Sequence, residues 1–244
     1  MIYFHPLFII LCFISVLTAT FRNLIIFTSI ILIHELGHFF AAKLLGWKVD
    51  KIVIYPYGGC TKFVDSLNKP IFSEFLVLIF GPIFQIIFYL IMSRYLGNFD
   101  LLLFKKYNFF ILLFNLLPIY PLDGGRLINL LISKKVPYLK SLTLTIIISF
   151  IVFFIVLFLY RSYVYMFIML FLLVKVIDEF KKRKFYYNKF IVERYLYNYK
   201  FNNTVVIDNM SNFYRDKNHI IKFGKWYKNE KEVLNEYFFK KIIM

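Results

Sequence analysis

The stretch Phe27-Thr-Ser-Ile-Ile-Leu-Ile-His34-Glu35-Leu36-Gly37-His38-Phe-Phe-Ala41-Ala42-Lys43-Leu-Leu45 decides how this chain is read. It is apolar enough for a membrane helix, yet it carries a carboxylate and two imidazoles at its centre. At bilayer depth such groups are costly unless paired, ligated or wetted, so an ionisable cluster there marks a function. On a helix, positions i and i+4 share one face and bring His34 and His38 to a single metal ion, while Glu35 stands beside them as a base. His-Glu-x-x-His also arises by chance on the wet surfaces of soluble proteins; an apolar helix offers no such surface. The segment reads as a zinc hydrolase site, one ion per chain, built inside a membrane.

Composition agrees. The chain has 244 residues, 60% of them hydrophobic and 22% aromatic, and its mean hydropathy of +0.67 lies far above that of a soluble domain. Cys12 and Cys60 show no pairing pattern and read as small apolar fillers. Alanine occurs only at Ala19, Ala41 and Ala42, while Phe, Ile, Tyr, Asn and Lys abound. Such a bias in coding composition discounts the net charge of +16 as a sign of nucleic-acid binding, and no nucleic-acid partner is expected.

Counting apolar runs gives about six transmembrane helices, at residues 2–20, 24–45, 75–96, 101–117, 142–160 and 163–177. The first has no basic leader and reads as a retained helix. Lys48, Lys51, Lys62, Lys69, Arg126, Lys134, Lys135, Lys140 and the run Lys181, Lys182, Arg183, Lys184 fall on one side. Arg22, Arg94, Lys105, Lys106 and Arg161 fall on the other. The excess places the first side, and both termini, in the cytoplasm. The expected fold is therefore an α-helical multi-pass membrane protein with a six-span body over residues 1–180 and a short basic cytoplasmic tail over 181–244. In that tail residues 204–207 suggest a strand and residues 230–241 a helix, and its basic start suits an anionic lipid surface.

Between the second and third spans, β-branched and aromatic residues flank Gly58-Gly59, which suggests a re-entrant β-hairpin-like loop. Backbone of this kind is tolerated at membrane depth when buried in protein or lining a wet cavity. Its edge would pair with an extended substrate segment; the ordinary alternative is a simple connector. A catalytic zinc also needs a third protein ligand. Asp123 is the candidate, in Asn115-Leu-Leu-Pro118-Ile-Tyr-Pro121-Leu-Asp123-Gly124-Gly125-Arg126, where two prolines break a span and two glycines follow. The plainer alternative, compatible with the first, is that Asp123 N-caps an amphipathic helix over residues 126–132.

His-Glu-Leu-Gly-His, Gly58-Gly59, Gly81-Pro82 and the Asn115 to Gly125 segment together resemble the site-2 protease family of intramembrane zinc metalloproteases. The span arrangement and compact size most resemble its sporulation branch, which processes a membrane-bound sigma-factor precursor. The resemblance implies zinc held by His34, His38 and Asp123, catalysis by Glu35, and substrate contacts near Asn115 and Pro121, joining Gly58 and Gly59. It also implies a multi-pass protein of a bacterial cell membrane, a membrane-associated protein as substrate, and a membrane-bound inhibitor or regulator. Gln85 stands where family members often carry Asn. The sporulation branch usually ends in a nucleotide-sensing CBS domain; the stretch after residue 177 is about half the length of a CBS pair. Two other classes share parts of this pattern: a catalytically inactive membrane scaffold of the same fold, which would not need Glu35, and a secondary transporter, whose usual internal repeat is missing from the sequence.

Overall fold

The protein is described by a computed structural model that covers residues 2–55, 58–64, 67–159, 163–197 and 199–243. Arg161 and residues 56–57 of the expected hairpin-like loop lie outside the described residues. The chain is mostly helical and divides into two compact units. One comprises residues 1–66 and 72–117, the other residues 67–71 and 118–244.

The first unit holds helices α1 (Pro6–Leu17), α2 (Phe21–Leu44), α3 (Ile71–Met92) and α4 (Asn98–Leu116), with strands β1 (Ile2–Phe4), β2 (Val49–Tyr55) and β3 (Gly58–Phe63). The expected first span is thus divided. Residues 2–4 form a strand parallel to β2, with Ile2 opposite Ile52. Pro6, which has no N–H to lose, opens a helix of 12 residues, and the His5 imidazole accepts the Leu7 N–H at 3.3 Å. At 1.5 Å per residue α1 is about 18 Å long, short of the ~30 Å hydrocarbon core. Strand β2 pairs antiparallel with β3, Ile54 opposite Gly59, so the sheet order is β1-β2-β3 and one long side of β3 has no strand neighbour within it. Phe8, Ile30, Ile31, Ile52, Ile54, Phe104 and Ile111 form the core between sheet and helices.

The second unit holds α5 (Asp123–Ser133), α6 (Tyr138–Leu159), α7 (Tyr163–Leu196), strands β4 (Asn203–Ile207), β5 (Lys217–Phe223) and β6 (Trp226–Asn229), and α8 (Glu230–Ile243). The strand and terminal helix expected in the tail are β4 and α8. With no proline or glycine between residues 163 and 196, α7 runs straight past residue 180. Strand β4 lies parallel to β5, and β5 antiparallel to β6. Phe190, Phe213, Ile221 and Leu234 are the fully buried centre of a core that also takes in Tyr138 and Leu142 at the start of α6. Above it Arg194 donates to both Glu230 carboxylate oxygens at 2.9 and 3.1 Å and to the Tyr214 carbonyl at 2.9 Å, which compensates the burial of the guanidinium.

Among the described residues, three helices are long and apolar enough to cross a membrane: Phe21–Leu44, Ile71–Met92 and Tyr138–Leu159. On α6, Leu144, Ile147, Ile151, Phe154, Ile155 and Phe158 all stand exposed, an apolar surface that water would not tolerate and lipid would.

Candidate metal centre

Glycine sets the spacing of the site. A Cβ on Gly37 would lie 2.8 Å from the Phe80 carbonyl carbon and 2.9 Å from the Gly81 Cα, so α2 and α3 touch backbone to backbone there. A Cβ on Gly81 would in turn lie 3.0 Å from the His34 Nε2. Pro82 follows, inside α3, where its missing N–H leaves a helix carbonyl uncommitted. The Gly81-Pro82 pair therefore presents a slim face to both histidines.

His34, Glu35 and His38 are all buried, and one ligand atom from each lies within 4.8 Å of the others. Each imidazole is oriented from behind. His38 Nδ1 sits 2.8 Å from the Val77 carbonyl, which can only accept, so Nδ1 carries the hydrogen and Nε2 the lone pair. His34 Nδ1 sits 2.9 Å from Gln85 Oε1 and has the same assignment. The two Nε2 atoms then face each other at 3.1 Å, lone pair toward lone pair. A cation relieves that repulsion, and tetrahedral zinc with bonds of about 2.0–2.1 Å would hold two such nitrogens about 3.3 Å apart. The donor set suits the ion that the sequence implies.

Glu35 points toward the hairpin. Thr61 in β3 donates its hydroxyl to Glu35 Oε2 at 2.6 Å. A Cβ on Gly59 would lie 2.6 Å from the Glu35 carboxyl carbon and Oε1, so only glycine lets β3 pass this close. Gly58, with φ at 155°, adopts backbone that side-chain-bearing residues rarely do. Asn115, on the last turn of α4, reaches His34 Nε2 at 3.4 Å.

Of the residues singled out in the sequence, His34, Glu35, His38, Gly59 and Asn115 thus meet in the first unit, and Gly58 lies next to Gly59 in β3. Pro121 and Asp123 belong to the second. There Pro121 follows a cis peptide bond in the turn between α4 and α5, and Asp123 is the first residue of α5, the cap position being Leu122. The turn is held by Tyr120 N–H donating to Ser149 Oγ at 2.8 Å, and a Cβ on Gly125 would lie 2.6 Å from the Ile119 carbonyl oxygen. Neither Thr61 nor Asn108 is marked by a motif or spacing in the sequence. Asn108, a buried amide within an apolar helix, carried the same signal of an expensive polar group that identified His34.

The profile of peptidase family M50 matches residues 23–102. The chain is 32% identical over 205 residues to stage IV sporulation protein FB of Bacillus subtilis, a match covering 80% of this chain and 71% of that protein. It is 36% identical over 126 residues to a zinc metalloprotease of Methanocaldococcus jannaschii, covering 48% of this chain and 36% of that one. Among solved structures, the site-2 protease from Methanocaldococcus jannaschii is similar with a TM-score of 0.58 and 28% identity, over 73% of this chain and 89% of that one. The chain belongs to peptidase family M50, the site-2 proteases, a family of membrane metalloproteases.

Proposed function

We propose that this protein is an intramembrane zinc metalloendopeptidase with His34, His38 and Asp123 as ligands of one zinc ion and Glu35 as the catalytic base. The observation that carries this reading is the convergence of the two Nε2 atoms at 3.1 Å, with Glu35 alongside, inside an apolar helix. When bound, zinc supplies the Lewis acidity that polarises a carbonyl and makes water a nucleophile near neutral pH. Glu35 takes a proton from the attacking water and returns it to the departing amine, so hydrolysis needs no covalent intermediate. Asn115, an amide donor beside His34, is placed to hydrogen-bond the carbonyl oxygen as charge develops on it.

A helical substrate keeps its carbonyls in its own hydrogen bonds and must unwind to be cut. The long side of β3 at Gly58 and Gly59 takes over those bonds by strand addition, and Pro121 contacts the same peptide. The similarity to stage IV sporulation protein FB favours a membrane-associated sigma-factor precursor as substrate and a membrane-bound regulator as partner. In the bilayer, residues 2–20 with α1 at their centre, α4 and the first half of α7 join the three long apolar helices as six membrane segments, the β2-β3 hairpin is re-entrant, and both termini are cytoplasmic. Residues 1–180 form the protease body. Residues 181–184 begin a basic cytoplasmic segment that rests on anionic lipid.

The test is to purify the protein in detergent, count zinc per chain, and supply a transmembrane peptide and a membrane-associated sigma-factor precursor. One zinc per chain, cleavage, and loss of both in His38→Ala are expected. A parent protein without zinc would refute the reading.

A further inference from the structure

The side of His34 facing away from Glu35 holds a buried relay that crosses three helices. Gln85, on α3, is fully buried. Its Nε2 donates to the main-chain carbonyl of Asn108 on α4 at 2.8 Å and lies 3.2 Å from Asn108 Oδ1. A main-chain carbonyl can only accept, and the opposite amide orientation would set two oxygens against each other. The backbone of α4 therefore dictates that Gln85 Oε1 faces His34, and Oε1 in turn dictates that His34 Nδ1 carries the hydrogen. What remains on the outer side of the ring is the Nε2 lone pair, aimed at His38 Nε2.

Without an acceptor behind it, neutral His34 would be free to place its hydrogen on Nε2, where it would block a cation, or to rotate the ring. His38 is insured against this by a main-chain carbonyl, which mutation cannot remove. His34 Nδ1 meets a side-chain acceptor instead, Gln85 Oε1, in a buried amide whose oxygen and nitrogen are both engaged. Resting on the reading of this site as a zinc centre, we propose that Gln85 is a positioning residue. Held by Asn108, it fixes the tautomer and orientation of His34 and thereby sets the affinity of the site for zinc.

The test uses the full chain in detergent and Zn²⁺ itself as probe, with affinity measured by chelator competition and the melting temperature of the metal-free protein measured in parallel. Gln85→Met keeps length and volume but removes the strong acceptor; zinc affinity should fall roughly ten- to hundred-fold. Gln85→Glu forfeits the donation to Asn108 yet still accepts from His34 Nδ1–H, and should bind zinc at or above the parent's level. The metal-free melts should not track this order, since the glutamate variant loses as much contact with α4 as the methionine variant. With cobalt in place of zinc, Gln85→Met should alter the visible absorption of the ion. The proposal is overturned if Gln85→Met binds zinc like the parent, or if Gln85→Glu is as weak as Gln85→Met, which would make the amide a packing element. A parent chain with no zinc affinity would overturn the proposed function and this inference together; failure of the variants alone would overturn only the inference.

Discussion

Replacing Gly59 with alanine should slow catalysis while leaving the metal in place. The added Cβ would lie 2.6 Å from the carboxyl carbon and Oε1 of Glu35, whereas non-bonded carbons rest at about 3.5–4.0 Å. Something must move by about 1 Å, and the Glu35 side chain is softer than the β2-β3 ladder. The strand therefore stays and the carboxylate yields, abandoning its bond from Thr61. Misplacing a catalytic group by about 1 Å costs on the order of a hundred-fold in rate, with the loss in kcat and little change in KM. Zinc should be retained, since Gly59 borders Glu35 and the two Nε2 atoms are oriented from α3. Steady-state cleavage of a transmembrane reporter in proteoliposomes, with zinc quantified in the same preparation, reads both. Parent-like kcat would show that β3 does not hold the base. Loss of zinc with activity would show that the hairpin braces the metal site rather than Glu35.

Asp123→Ala should sharply reduce zinc per chain; full occupancy would remove Asp123 from the ligand set. Thr61→Val, which keeps shape but not the hydroxyl bonded to Glu35 Oε2, should cleave roughly ten-fold more slowly with zinc unchanged, and Thr61→Ser should recover the rate; equal rates in both variants would refute the role. The second unit should lose stability in acid. Burial lowers the pKa of His219, and its Nε2 accepts the Tyr214 N–H at 2.8 Å, which keeps the ring neutral while Nδ1 donates to Glu230 at 2.8 Å. Burial alone would raise the Glu230 carboxyl, but the bond from His219 and the Arg194 charge bring it below its ordinary value. Both depressed groups make the unfolded chain the better proton acceptor as pH falls. Stability is therefore full above the unfolded histidine value of about 6.5 and declines below it. Melting followed by Trp226 fluorescence at pH 7.5 and 5.5 should show the drop, and a flat or inverted dependence would contradict it.

The metal-site side chains were legible because polar atoms in apolar surroundings are expensive and therefore informative. His34, Glu35 and His38 stood out against leucine and phenylalanine, Asn115 came from the family resemblance, and the structure brings all four together. What the sequence concealed was reach across helices. Nothing in the spacing of Gln85 and Asn108, 23 residues apart, says that one orients a ligand through the other. Thr61 looked like any β-branched strand residue until the register set β3 over Glu35. At the N-terminus the helix starts later than the apolar run suggests, for a local reason: residues 2–4 are apolar enough to continue a helix, but Pro6 lets one start there, and β2 offered those residues a partner. Tail strands were visible at residues 204–207, whereas β5 and β6, rich in lysine, gave no apolar alternation and depend on pairing with β4 and each other.

The central claim is that Glu35 performs hydrolysis beside a metal it does not hold. The direct measurement is cleavage of a membrane-embedded helical peptide by purified Glu35→Gln and parent protein, with zinc counted in each. Glu35→Gln keeps the size and position of the side chain but has no carboxylate to take the proton. The account predicts no product above background and zinc equal to the parent. Cleavage by Glu35→Gln at the parent rate, or loss of zinc from it, would contradict the account.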